Sequence, residues 1–356
     1  MITPTPTPNG KKIRVMIVDD SAMVRKVLRD ILSTDPEIDV IYAASNPYEA
    51  RDVMVVQKPD VITLDIEMPK MDGVTFLKKF MRVMPTPTII ISSLAESGKK
   101  ITIEALEAGA VDIITKPKIG LSDFFDQQVA DIIQRVKTAA KAKVQLPSVL
   151  NNAATSPIKM ATLEETTDKV IAIGASTGGV EHLSRIMPLF PATSPGIVIV
   201  QHMPEGFTAS FAKRLNELSA MQVKEAQDGD RILPGLVLLA PGGKQHMSVY
   251  RSGGQYRVRL QEGEKVSFNR PAVDVLFESV AEAVGKNCST VLMTGMGKDG
   301  AKGLLKIRQA GGKTFIQNEA TCVIYGMPGE ADRMGAASAA VPLLDIPQTL
   351  LSAFRS

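Results

Sequence analysis

The chain has no tryptophan, only two cysteines and three histidines, and a net charge of just +3 over 356 residues. The missing tryptophan and the low aromatic content exclude little by themselves. The scarcity of cysteine excludes more. Cys288 and Cys322 make no disulfide framework, so neither a bridge nor a metal is assigned to them, and a reducing, cytoplasmic setting is expected. Acidic and basic residues are interspersed and nearly balanced, which removes the electrostatic case for nucleic acid or an anionic membrane as main partner. There is no run of about 18 apolar residues, the length a membrane span needs. The opening Met1-Ile2-Thr3-Pro4-Thr5-Pro6 lacks the basic-then-apolar order of a signal peptide. A soluble chain with no direct membrane insertion is expected.

What is present is enough apolar sequence, 44%, for two cores, in a chain long for one. From Ile13 to about Lys137, short β-rich runs alternate with amphipathic stretches, the pattern of an α/β domain on a parallel sheet. Strands are predicted at 14–18, 40–44, 61–64, 88–91 and 111–114. Behind Ser21, a predicted cap, apolar residues recur at Val24, Val27, Leu28, Ile31 and Leu32 with helical spacing. Residues 138–167, rich in Ala, Lys, Thr, Asn and Pro, keep neither period and read as a mobile linker, about 30 residues spanning roughly 30 Å as a flexible coil. Residues 138–144 are a candidate extension of the preceding helix. From residue 168 to 356 a second, doubly wound α/β domain is predicted, with buried strands at 170–173, 197–200 and 290–294. Its middle, 231–240, 247–251 and 256–261, is punctuated by Pro-Gly and Gly-Gly and reads as antiparallel hairpins beside the sheet.

In the first domain Asp19 and Asp20 follow the first strand, Asp65 the third, Ser92 the fourth and Lys116 the fifth. In an open α/β sheet the carboxyl ends of the strands converge on one crevice, so these residues should meet there. Any one aspartate after a strand is commonly a turn or cap residue; the coincidence of positions argues for a site. Three carboxylates packed together repel unless a cation lies among them, and oxygen ligands suit Mg²⁺. This set resembles the receiver domain of two-component response regulators, over residues 13 to about 137. The resemblance implies a flavodoxin-like fold, phosphoryl acceptance by Asp65, Mg²⁺ held by Asp19, Asp20, Asp65 and the Glu67 carbonyl, and a phosphoryl group contacted by Ser92 and Lys116. A histidine kinase is the implied phosphodonor.

In the second domain, Val170-Ile171-Ala172-Ile173-Gly174-Ala175-Ser176-Thr177-Gly178-Gly179 delivers a serine from a buried strand into a glycine-loosened turn. Such a turn exposes a hydroxyl and frees the next amides for an oxyanion. It also admits a plainer reading, a loop that packs a helix or cradles a phosphate. A serine nucleophile needs a base. His182 falls in the helix after the turn, where a polar or partly exposed imidazole is expected; His246 enters the hairpin region as a substrate-contact or loop-packing residue. His202, after 197–200, shares the strand-end crevice with Ser176 and is the preferred base. Asp299, in the loop after 290–294, is the preferred carboxylate partner. Asp274 is the weaker one, because an early acid in the predicted helix 271–284 is usually satisfied by that helix's own amino terminus.

The segments 174–179, 201–204 and 294–300 together resemble the catalytic domain of chemotaxis receptor methylesterases, the CheB family. Residues 265–271 and 319–328 extend the likeness, as does the order receiver, linker, esterase. The resemblance implies hydrolysis of glutamate γ-methyl esters on chemoreceptors and deamidation of receptor glutamines. His202 would take the Ser176 proton, and the Thr177 and Met296 amides would hold the oxyanion. No cofactor is implied for ester hydrolysis. A receiver that partly covers the Ser176 crevice until Asp65 is phosphorylated is the expected control. Three rivals remain: a DNA-binding regulator, which lacks a helix-turn-helix or basic stripe; a non-enzymatic binding module; and a Cys322 nucleophile, set against its placement in an apolar segment where a buried thiol is ordinary.

Overall fold

The computed structural model describes residues 11–92, 96–116, 121–144 and 168–355. The chain divides into two compact units, one within 1–150 and one within 151–356. Most of the expected linker, 145–167, lies outside the described residues; ahead of it the last helix of the first unit stops at Ala139 and does not run on to Val144. Among the described residues no helix is long and apolar enough to cross a membrane.

The first unit is a five-stranded sheet. β1 (Ile13–Val18), β2 (Ile38–Ala44), β3 (Val61–Asp65), β4 (Thr88–Ser92) and β5 (Asp112–Thr115) lie in the order β2-β1-β3-β4-β5, every pair parallel. This is the flavodoxin-like order, whose switch point falls between β1 and β3. Five helices connect and flank the strands: α1 (Ala22–Leu32), α2 (Pro47–Gln57), α3 (Gly73–Met81), α4 (Glu96–Glu107) and α5 (Leu121–Ala139). Ser21 caps α1 by accepting from the Val24 amide, and Val24, Leu28, Ile31 and Leu32 form its buried stripe, as the spacing predicts. Gly73 starts α3 against the end of β3, where any Cβ would overlap the Asp65 carbonyl.

The second unit is a seven-stranded parallel sheet in the order β14-β13-β12-β6-β7-β9-β8. Its strands are β6 (Val170–Ala175), β7 (Gly196–Gln201), β8 (Gln222–Glu225), β9 (Leu236–Leu239), β12 (Cys288–Leu292), β13 (Lys313–Gln317) and β14 (Ala339–Val341). The chain winds from β6 outward through β7, then returns across β6 to β12, so the switch point lies between β6 and β12. β10 (Gln245–Ser252) and β11 (Gln255–Glu262) form a separate antiparallel hairpin. The helices are α6 (Gly179–Ile186), α7 (Phe207–Leu218), α8 (Val273–Ala283), α9 (Ala301–Gln309), α10 (Met327–Arg333) and α11 (Ile346–Ser352).

Two details differ from the sequence reading. Residues 236–239 are not hairpin: they form β9, a parallel strand between β7 and β8 with Val237, Leu238 and Leu239 fully buried, whereas Arg231, at the start of the expected segment, does bridge antiparallel to Arg257 on β11. A short apolar run after Pro-Gly looks alike in either setting, and only the neighbouring strands decide. β12 ends at Leu292, two residues before the expected end, so Thr294 belongs to the loop that approaches the site.

Candidate active site and acidic pocket

Ser176 and His202 each stand one residue beyond a paired position on adjacent parallel strands, Ala175 opposite Gln201. The His202 amide donates to the Ala175 carbonyl at 3.0 Å, and the Ser176 amide donates to the Thr294 carbonyl at 3.0 Å. The ends of β7, β6 and β12 thus present His202, Ser176 and the loop 294–300 in one row beside the switch point. Gly295 permits this closeness, since a Cβ there would come within 2.7 Å of the Ser176 Cβ.

His202 Nε2 lies 2.7 Å from Asp299 Oδ2. The same oxygen accepts the Val273 amide at 2.7 Å, and Oδ1 accepts the Asp274 amide at 2.9 Å. Asp299, buried, is therefore fixed by the amino terminus of α8 as well as by the imidazole. A carboxylate in that position accepts a hydrogen bond from the Nε2–H, which leaves Nδ1 as the ring nitrogen with a lone pair. Among the described residues no hydrogen bond joins the Ser176 hydroxyl to the imidazole; their proximity rests on strand pairing, and such bonds commonly tighten only with substrate bound.

Sequence reasoning gave Thr294, Gln201 and Gln317 no role of their own. Thr294 Oγ1 donates to the Thr177 carbonyl at 3.0 Å and accepts the Ile324 amide at 3.0 Å, while its own amide donates to Gln317 Oε1 at 3.0 Å. Buried Gln201 donates through Nε2 to both the Ser176 and the His202 carbonyls, each at 2.9 Å. Two buried carboxamides thereby tie the strand ends together from either side. Gln201 and Thr294 lie in noted segments, but Gln317 sits on a strand that the sequence reading did not find. Thr177 follows Ser176 in the turn before α6, and Met296 follows Gly295, so both expected oxyanion residues lie beside the serine in sequence or across the row.

The other histidines separate cleanly. His182 is buried, not partly exposed as expected, because it lies on the face of α6 that turns inward with Val180, Leu183 and Ile186. Gln317 Nε2 meets its Nδ1 at 3.2 Å, and burial pushes its pKa down to about 3. It is neutral, so its 3.3 Å approach to Glu181 is not an ion pair. His246 is a loop-packing residue: Nε2 donates to the Glu264 carbonyl at 2.8 Å and Nδ1 accepts the Ala272 amide at 3.1 Å.

Asp274 accepts the Gly303 amide at 2.8 Å at the start of α9 while Asp299 takes the amides of α8, an exchange the sequence did not reveal. Burial, joined by the charges of Asp299 and Glu278, pushes Asp274 up to about 6. Cys322 is buried. Cys288 is buried too, and burial pushes its thiol up to about 11, the reverse of an activated nucleophile.

In the first unit, Asp19, Asp20 and Asp65 bring carboxylate oxygens within 4.8 Å of one another. Lys116 Nζ stands 2.7 Å from Asp65 Oδ2 and 2.9 Å from Asp19 Oδ2. Burial, then the neighbouring Asp19 charge, pushes Asp65 up to about 6, and burial also raises Asp19. Burial works against the Lys116 ammonium, yet the two carboxylates outweigh it and hold its pKa above the ordinary value. Ser92, buried at the end of β4, accepts from Thr102 Oγ1 at 2.7 Å. The Glu67 amide donates to Asp65 Oδ1 at 3.3 Å. One ammonium among three carboxylates leaves an all-oxygen, under-neutralised cluster, a donor set that fits a hard divalent cation.

Residues 171–350 match the family model described as CheB methylesterase, and residues 15–123 match that of the response regulator receiver domain. A protein-glutamate methylesterase/protein-glutamine glutaminase of Shewanella oneidensis is 52% identical over 352 residues, covering 96% of this chain and 99% of the relative. One from Pseudomonas aeruginosa is 51% identical over 339 residues, covering 95% and 96%. The crystal structure of the Thermotoga maritima CheB methylesterase catalytic domain superposes with a TM-score of 0.50 at 40% identity, covering 52% of this chain and 97% of that one. The chain belongs to the CheB methylesterase family, with its enzyme domain preceded by a response regulator receiver domain.

Proposed function

We propose that the second unit hydrolyses glutamate γ-methyl esters on chemoreceptors, and deamidates receptor glutamines, with Ser176 as nucleophile, His202 as base and Asp299 as the partner that fixes the imidazole. The observation that carries this reading is the 2.7 Å contact between His202 Nε2 and Asp299 Oδ2, on the strand end next to Ser176. Nδ1 takes the Ser176 proton as Oγ attacks the side-chain carbonyl, and the Thr177 and Met296 amides receive the oxyanion. Methanol or ammonia leaves with the proton returned by the imidazole. Water, deprotonated by the same nitrogen, then releases the glutamate.

Phosphorylation at Asp65 is read as the control. Asp19, Asp20, Asp65 and the Glu67 carbonyl would hold Mg²⁺, which would neutralise charge on the incoming phosphoryl group. Lys116 already pairs with Asp65, and with Ser92 it would bind the phosphoryl oxygens. A histidine kinase is the phosphodonor, and the reaction is placed in the cytoplasm. The working division is a receiver over 13–137, a linker over 138–167 and the esterase over 168–356.

Mass spectrometry of methyl-esterified receptor incubated with the full chain, with and without acetyl phosphate, tests these parts together. Demethylation that acetyl phosphate increases, and that Ser176→Ala removes, is expected. Normal turnover by folded Ser176→Ala protein would refute serine catalysis, and stimulation that survives Asp65→Ala would refute the proposed control.

A further inference from the structure

We propose that Phe268 is a docking residue of this active site, seated on an apolar side chain of the polypeptide that carries the reacting ester. The inference rests on the reading above that the substrate is a protein. Phe268 is 94% exposed, and among the described residues of the second unit only Leu233, Val266 and Phe268 are large hydrophobic side chains left open to solvent. Two of the three therefore belong to one short turn.

That turn is under backbone strain. Val266 and Asn269 exchange both main-chain hydrogen bonds, at 3.1 and 2.9 Å, so Ser267 and Phe268 are the two residues of a tight hairpin loop. Both have positive φ, 50° and 65°. Such loops favour Asn-Gly or Gly-Gly, because a side chain disfavours this region, most of all a bulky one. An aromatic that is strained and makes no use of burial is poorly explained by stability. Strain of this kind is retained where function needs the group in place.

The turn is also held rigidly and close to the chemistry. Asn269 Nδ2 donates to the Ser267 carbonyl at 2.7 Å, and Arg270 donates to the Gly243 and Gly263 carbonyls at 2.7 and 2.6 Å. His246 bonds Glu264 on one side of the turn and Ala272 on the other. The next residue, Val273, gives its amide to Asp299. Phe268 stands five positions before Val273, a span of at most roughly 17 Å. A small ester engages only the reacting groups, whereas a polypeptide laid across the rim extends to the turn. A rigid, exposed aromatic held in place beforehand loses little freedom on contact, which suits it to anchor a protein partner.

The test compares the full unaltered chain with Phe268→Gly and Phe268→Tyr on a methyl-esterified receptor. Phe268→Gly is expected to lower kcat/KM roughly tenfold to hundredfold, through KM, while raising the melting temperature because glycine relieves the turn. Phe268→Tyr should restore KM. Labelling of Ser176 by a small serine-reactive phosphonate monitors the reacting groups separately. An unchanged receptor KM in Phe268→Gly overturns the proposal, as does labelling that falls in step with receptor hydrolysis. Absence of labelling in the unaltered chain overturns the serine reading instead, and the receptor KM values still decide the role of Phe268.

Discussion

Asp299 accepts from two backbone amides as well as from His202, so an amide at this position must turn its NH₂ toward a donor. Asp299→Asn should therefore lower kcat by about 10⁴, as loss of the imidazole tautomer does in serine triads, and also destabilise the unit by roughly 1–3 kcal/mol. Steady-state kinetics and denaturant unfolding separate the two effects; full stability with full loss of activity would argue against the capping role. Asp274 gives a pH signature. Its folded pKa, about 6, is above the ordinary carboxylate value of 3.8, so the folded chain holds this proton more tightly than the unfolded one. The group therefore costs stability as pH rises from about 4 to 6, fully so above that window, by roughly 1–3 kcal/mol. Asp274→Asn keeps an acceptor for the Gly303 amide and should flatten this slope in melting curves taken across the window. A slope unchanged by the substitution would show that Asp274 does not titrate there.

At the scale of elements, the site depends on how strand ends are tied. Thr294, just past β12, joins the Ser176 turn to the segment before α10 through its hydroxyl. Thr294→Val keeps the shape but leaves the half-buried Ile324 amide and Thr177 carbonyl each short of a partner, a loss of about 1 kcal/mol. Reduced kcat with little change in KM is expected, because the turn and the amides proposed to hold the oxyanion lose their fixed position. Residue 294 was visible in the sequence as the supposed end of a strand and the start of the segment 294–300, with no role of its own. β8, β13 and β14 were not legible at all, being four, five and three residues long with polar or exposed positions, too short for alternation to register. The long buried strands and the stripe of α1 were legible because one period runs through enough residues to stand out.

At the scale of the molecule, the two units carry different chemistry. The acidic cluster of the first has three carboxylates against one ammonium, and binding of Mg²⁺ to the folded form alone should stabilise that unit by about 2.7 kcal/mol at a hundred times the dissociation constant. Calorimetry with and without Mg²⁺ should show the shift in the full chain, diminished in Asp19→Asn, while chelation blocks labelling of Asp65 by acetyl phosphate and leaves phosphonate labelling of Ser176 intact. An equal Mg²⁺ shift in Asp19→Asn would place the cation elsewhere.

The order of strands and turns, and the chemical types that stand at strand ends, were set by local sequence: apolar runs choose strands, and the residues just after them fall at carboxyl edges whatever the neighbours are. That was enough to bring forward Asp19, Asp65, Lys116, Ser176, His202 and Asp299. Which edge meets which was decided only by the tertiary structure. The Asp299 link to α8, the burial of His182 and the two carboxamide ties join residues up to 135 positions apart. Such pairings arise from sheet order and packing, and no local period encodes them.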